Sequence, residues 1–143
     1  MAASAVLRRS IEMLCVADHH NDPALLEPWL SNKTSEMFRV WLDTPGNVII
    51  VAVDASQQII GVAGLSEGGE ITLNYVDPEA RFRGVSTAML DWLEQYLRTI
   101  GANQCRLTSS KTAYRFYLSR GYGPTGGAAP SGHDEARPML KAL

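Results

Sequence analysis

Apolar residues recur along the first third of the chain at helical spacing. Leu7, Ile11, Leu14 and Cys15 predict a helix over about 4 to 18. "HHNDP" breaks it. Asp22 is placed to cap a second helix, with Pro23 in the first helical position, where a missing N–H costs nothing. Leu25, Leu26, Trp29 and Leu30 then share a face. "NKTSEMFRVWL" restarts a helix, capped by Thr34 or Ser35, with Met37, Phe38 and Trp41 inward. "TPG" at 44–46 stops it.

The texture changes at Val48. "VIIVAV" (48–53) is β-branched and apolar, as in a buried strand. "QIIGVAGL" (58–65) and the alternating "EITLNYV" (70–76) follow after short turns, with Ile71, Leu73 and Tyr75 on one face. These three strands make an antiparallel meander. The longest helix runs over about 84 to 100, with Val85, Ala88, Met89, Trp92, Leu93, Tyr96, Leu97 and Ile100 inward. Gly101 ends it. "QCRLTS" (104–109) is a strand, and Ser109 or Ser110 caps a helix that turns Ala113, Phe116 and Tyr117 inward. A glycine-rich loop, "GPTGGAAPSG", precedes a closing strand in "ARPMLKAL". The order predicts an α+β fold over 1–143 as one domain: an α/β/α sandwich whose mixed, mostly antiparallel sheet is flanked by helices.

Composition narrows the classes of function. Apolar residues are 45% and charged residues 20% of the 143, and 13 Lys+Arg stand against 15 Asp+Glu, for a net charge of -2. This balance gives no support for a nucleic-acid partner. No apolar run is long enough to span a membrane, and "MAASAVLRRSIEML" lacks the pattern of a signal peptide. Cys15 and Cys105 lie far apart, without metal-ligand spacing, and read as reduced packing residues. A cytoplasmic protein without a metal site is the expectation. His19-His20 reads as a solvated helix end.

One turn carries chemistry. "RFRGVSTAML" (81–90) follows a strand closed by Pro78 and opens the longest helix. Gly84 lets backbone amides approach a ligand, and the free N–H groups of a first helical turn attract anions. Arg81 and Arg83 add positive charge where the helix dipole disfavours it, unless an anion sits there. The turn therefore reads either as a phosphate cradle or as a surface turn with solvated arginines. It is neither a P-loop nor a dinucleotide fingerprint.

The string "LNYVDPEARFRGVSTAML" resembles the acetyl-CoA signature of the GNAT superfamily of N-acetyltransferases. That signature has Gln or Arg, two variable residues, Gly, a variable residue, then Gly or Ala. Here Arg81, Phe82, Arg83, Gly84, Val85 and Ser86 stand in those places, with Ser86 for the last small residue. "SSKTAYRFYLSRGYG" is similar to the family's later motif at Ala113, Phe116, Tyr117, Gly121 and Tyr122, with Ser110 where asparagine is usual. The family usually begins with a strand. Here it is either absent or "MAASAV" stands in for it, which leaves a sheet edge that a homodimer partner is one way to cover.

The resemblance implies acetyl transfer from acetyl-CoA to a primary amine of a small molecule or peptide. It implies that backbone groups of Asn74, Tyr75 and Val76 pair with the pantetheine, and that the amides from Phe82 to Thr87 hold the pyrophosphate. It gives Ser110 a pantetheine contact and Tyr117 the role of general acid. The base is not identified: Glu12, Glu67, Glu70 and His133 are the candidates, and Cys105 stands where some members carry glutamate. Trp29, Phe38 and Trp41 read as core first and acceptor pocket second; Asn32, Lys33 and Thr34 read as capping first and substrate contact second. The rival reading is a non-catalytic acyl-CoA-binding sensor or scaffold.

Overall fold

The structure, a computed structural model, describes residues 2–125 and 137–143. Four helices come first: α1 (Ala2–Leu14), α2 (Val16–His19), α3 (Pro23–Leu30) and α4 (Ser35–Asp43). Strands β1 (Val48–Val53), β2 (Ile59–Ser66) and β3 (Glu70–Val76) follow, then α5 (Val85–Thr99), β4 (Gln104–Ser109), α6 (Tyr114–Ser119), β5 (Gly123–Pro124) and β6 (Arg137–Ala142). One sheet takes the order β1-β2-β3-β4-β6-β5. Every neighbouring pair is antiparallel except β3 and β4. Ala3, Val6 and Leu7 of α1 and Phe38 of α4 pack with Val62 and Leu73. Met89, Leu90, Leu93 and Leu97 of α5 and Tyr117 of α6 pack with Ala63, Leu65 and Ile71 on the other face. This is the expected three-layer sandwich.

Several local expectations are corrected. Residues 2–6 of "MAASAV" lie within α1, so no strand precedes the first helix among the described residues. β1 is an edge strand rather than a buried one, with Val51 and Val53 exposed. Ala88 and Trp92 on α5, and Ile100 at its C-cap, are exposed. Its inward stripe runs instead through Met89, Leu90, Leu93 and Leu97, and Trp92 stacks outside on Tyr96 with ring centroids 5.7 Å apart. The glycine-rich segment begins with a two-residue strand, β5, that pairs with β6. Its residues from 126 on, and His133, lie outside the described residues.

The placement of the site depends on a bulge in β3. Gly64 pairs with Leu73 and Leu65 pairs with Ile71, so Thr72 has no partner of its own across the ladder. An extra residue reverses which face the following side chains meet. Ile71 therefore packs with the α5 layer and Leu73 with the α1 layer, not on one face as alternation predicts. Asn74 and Val76 come back to the α5 and α6 side. At the same point β3 leaves β4. The two pair only through Glu70 with Arg106 and Ile71 with Leu107. From Thr72 onward the parallel strands diverge, and both flanks of the gap become cavities.

Candidate active site

The first cavity, of about 350 Å³, lies between the end of β3, the turn into α5 and α6. Its lining joins nearly every residue singled out from the motifs: Asn74, Tyr75, Val76, Arg81, Phe82, Gly84, Val85, Ser86, Thr87, Ser110 and Tyr117. Arg83 does not line it and is exposed. The turn is built by local chemistry. Pro78–Ala80 forms a single 3-10 turn that the Asp77 side chain caps through Glu79 N–H at 3.0 Å, and Arg9 of α1 grips the same carboxylate. Partial desolvation alone would raise Asp77, but Arg9 and the Glu79 amide hold it below the usual carboxylate range. The chain then turns left-handed twice, at Phe82 (φ 65) and at Gly84 (φ 77). Phe82 is 89% exposed under the Arg81 guanidinium, 4.5 Å from its ring, a conformation that costs a bulky residue on the order of 1 kcal/mol.

Asp22 caps α3 and Thr34 caps α4 with side-chain oxygens, but Gly84 caps α5 with none. The first N–H groups of α5 are thus left to a ligand or water, at the positive end of a 15-residue helix. A Cβ on Gly84 would meet no atom within 4 Å. The glycine is required by its φ, and the space beside it is open.

The second cavity, of about 430 Å³, lies beyond the splay and is lined by Asp18, Trp29, Asn32, Lys33 and the same stretch of β3. Asn74, Tyr75, Ser110, Ala113 and Tyr117 line both cavities. At this junction Asn74 Nδ2 donates to the Tyr117 hydroxyl across 3.2 Å. Asn74 Oδ1 is buried and has no hydrogen-bond partner. Burial pushes the Tyr117 phenol up to about 12, against the opposing hydrogen bond from Asn74. Burial likewise raises the Tyr75 phenol and the Cys15 thiol at the edge of the first cavity. Ser110 Oγ accepts from Ala113 N–H at 3.3 Å, so it braces the turn ahead of α6. That helix starts only at Tyr114, later than a cap at Ser109 or Ser110 implies.

Trp29, Asn32 and Lys33 line the second cavity. Trp41 lines a third, of about 220 Å³, that shares Asn32, Lys33, Thr72 and Leu73 with the second. Phe38 is core and Thr34 is a cap. Lys33 is only 8% exposed, and desolvation lowers its ammonium to about 8.

Glu12, Glu67 and Glu70 line neither of the two larger cavities. Cys105 is fully buried in the α5 layer. His19 is also fully buried, not a solvated end: Nε2 donates to Ile11 C=O at 2.8 Å and Nδ1 accepts from Asn21 N–H. Only His20 of that pair is exposed. Among the described residues no group of three or more His, Cys, Asp or Glu could hold a metal ion. No helix there is long and apolar enough to cross a membrane.

Asp18 belongs to the site and was not singled out from the sequence. Its buried carboxylate accepts from Lys111 N–H (2.7 Å), Thr112 N–H (3.0 Å) and the Thr112 hydroxyl. It thereby ties α2 to the turn between β4 and α6. Its only mark in the sequence is a lone acid between Ala17 and His19, 93 positions from its partner.

Residues 9–142 match the acetyltransferase (GNAT) domain family. No protein of curated function matches the chain. Among solved structures, the chain is similar to a GCN5-related N-acetyltransferase from Rhodopseudomonas palustris, with 26% identity, a TM-score of 0.84 and coverage of 99% of this chain and 88% of that one. It is also similar to the PaiA N-acetyltransferase of Thermoplasma acidophilum in complex with coenzyme A, with 18% identity, a TM-score of 0.80 and coverage of 98% and 90%. An aminoglycoside 6'-N-acetyltransferase complexed with coenzyme A follows at 17% identity, with a TM-score of 0.68 and coverage of 96% and 91%.

Proposed function

The chain belongs to the GNAT acetyltransferase family, and we propose that it moves the acetyl group of acetyl-CoA directly to a primary amine of a small molecule or peptide. One observation carries this reading: two cavities on either side of a strand splay share their lining at Asn74 and Tyr117. A bisubstrate transfer needs such a junction, because the reacting atoms must meet within about 3.5 Å. The family match supports one domain, and the coenzyme A bound to two fold relatives supports acetyl-CoA as the cosubstrate. The unpaired, buried Cys15 and Cys105 suit the cytoplasmic setting expected from the sequence.

In this account the uncapped amides of Val85, Ser86 and Thr87 hold the pyrophosphate, with Arg81 adding charge. The backbone of β3 beyond Thr72 has no β4 partner and pairs with the pantetheine instead. A backbone N–H there polarises the thioester carbonyl as the tetrahedral oxyanion forms. The neutral amine attacks that carbon, the C–S bond breaks, and one proton passes overall from nitrogen to sulfur. Tyr117 keeps its phenolic proton at neutral pH and donates it toward sulfur as thiolate charge builds. Because Asn74 Nδ2 already donates to the phenol oxygen, the phenol's own hydrogen is free for this.

The test is thiol release from acetyl-CoA across a panel of primary amines, wild type beside Tyr117→Phe. Acetylation of at least one amine, slowed by the variant, supports the enzyme. Tight acetyl-CoA binding with no turnover of any amine supports the non-catalytic module. One observation favours that rival: among the described residues Asp18 is the one carboxylate lining the second cavity, and its oxygens are already engaged.

A further inference from the structure

Lys33 sits on the bend between α3 and α4, 92% hidden from solvent, where the second and third cavities share their walls. Every contact of its ammonium is neutral. It donates to Asn32 Oδ1 at 2.6 Å and to Trp29 C=O at 3.4 Å, and it stands 5.9 Å from the Trp41 ring centroid. Among the described residues no carboxylate pairs with it. The other charged side chain in the second cavity, Asp18, is spent on the turn at Lys111 and Thr112. A buried charge without a counter-charge is costly to a fold. A fold that keeps one beside an open cavity leaves a place for the opposite charge.

We infer that Lys33 receives an anionic oxygen group of the acceptor, so that the substrate is a primary amine carrying a carboxylate or phosphate. This rests on the acetyltransferase reading and narrows it. The order of residues on β3 fixes the orientation. Asn74 and Tyr75 face the junction with the donor cavity, whereas Thr72 and Leu73 face the end shared with Lys33. The amine therefore points to Tyr117 and the anion to Lys33. Thr72 to Tyr75 is roughly 10 Å of strand, so the two charged ends of the acceptor lie apart and a series of rising chain length is the suitable probe. A second cation on the acceptor would meet the ammonium instead, so polyamine-like acceptors are rejected by like charge.

The experiment uses β-alanine, 4-aminobutyrate and 5-aminopentanoate, each beside its carboxamide, with 1,5-diaminopentane as the cationic control. Rates are referred to the neutral fraction of each amine, from its own titration, so the comparison isolates the far group. O-phosphoethanolamine beside ethanolamine is the phosphate arm. Two readouts are taken on the full chain: kcat/KM with acetyl-CoA, and the calorimetric Kd of the N-acetylated products on the CoA-loaded protein. In at least one arm the anionic member is favoured by about ten- to a hundredfold, the worth of a charge-assisted hydrogen bond, and the bias sits in KM. Lys33→Met and Lys33→Gln bring the ratio near one, while Lys33→Arg keeps a bias. Equal treatment of anionic and neutral members in both arms overturns the inference, as does a bias that survives Lys33→Met. The two readings fail separately. Turnover of the amides and the diamine but not the acids sinks the anion site and leaves the acetyltransferase. Lysine-dependent binding of the acetylated acids without any turnover does the reverse.

Discussion

The amide of Asn74 on β3 donates to the hydroxyl of Tyr117 on α6 across 3.2 Å, where both main cavities share their lining. This contact spans the splay between β3 and the β4–α6 unit. Tyr117→Phe removes the proton donor but leaves the ring, which packs edge-on to Phe116 and Tyr122. Its kcat is expected to fall by about 10²-fold, within the usual range for general acid catalysis, with acetyl-CoA binding retained. Asn74→Ala frees the phenol oxygen and is expected to cost less, about tenfold. Steady-state kinetics with one amine and calorimetry with acetyl-CoA check both. Full turnover by Tyr117→Phe removes the phenol from the mechanism.

Much of this arrangement is written in local patterns. The helix of the longest apolar stripe, the three-strand meander and the Gly84 turn follow from spacing alone, because each is set by neighbours within a few residues. The two motif strings meet in one cavity although they are separate in sequence. The exceptions are long-range. A bulge at Thr72 depends on the register of β2, so strict alternation misplaced Leu73 relative to Ile71. Burial of His19 and the role of Asp18 depend on contacts that no periodicity reports. The edge position of β1 is a matter of strand order, and an apolar run cannot announce it.

Asp18 is expected to hold the turn that carries Lys111 and Thr112 into the site. Asp18→Ala leaves two backbone N–H groups without their acceptor. The loss is expected at about 2–4 kcal/mol, since bonds to a charged group are among the stronger ones. Asp18→Asn keeps the shape and is expected to lose less. Denaturant midpoints of the three proteins test this, and an unshifted Asp18→Ala midpoint contradicts it.

The buried ammonium of Lys33 makes a pH-dependent contribution. Burial lowers it to about 8, whereas an unfolded lysine titrates near ~10.4. Below about 8 both states hold the proton and the native state bears the cost of the buried charge. Between about 8 and 10 only the unfolded chain binds the proton, so stability rises with pH over that window. Lys33→Met is therefore expected to raise Tm at pH 7, by an amount that shrinks as pH climbs from 8 to 10. A gain that does not vary with pH contradicts a desolvated ammonium.

Among the described residues no unengaged carboxylate or imidazole lines the second cavity. The amine then enters neutral, a small fraction of a group near pKa ~10.4 at pH 7. With an acceptor that lacks an anionic group, kcat/KM is expected to climb about tenfold per pH unit from 7 to 9. A pH–rate profile reads this directly. A plateau reached near neutrality instead reveals a base acting within the protein.

We propose that the turn at Gly84 cradles the pyrophosphate of acetyl-CoA. Calorimetric titration of acetyl-CoA into wild type, Gly84→Ala and Gly84→Asp tests it most directly. A Cβ at Gly84 meets open space but must adopt φ 77. Gly84→Ala is therefore expected to bind more weakly by a modest factor. Gly84→Asp sets a carboxylate against the phosphates and is expected to lose at least about a hundredfold from a roughly micromolar Kd. No binding by folded wild type, or equal binding by wild type and Gly84→Asp, contradicts the account.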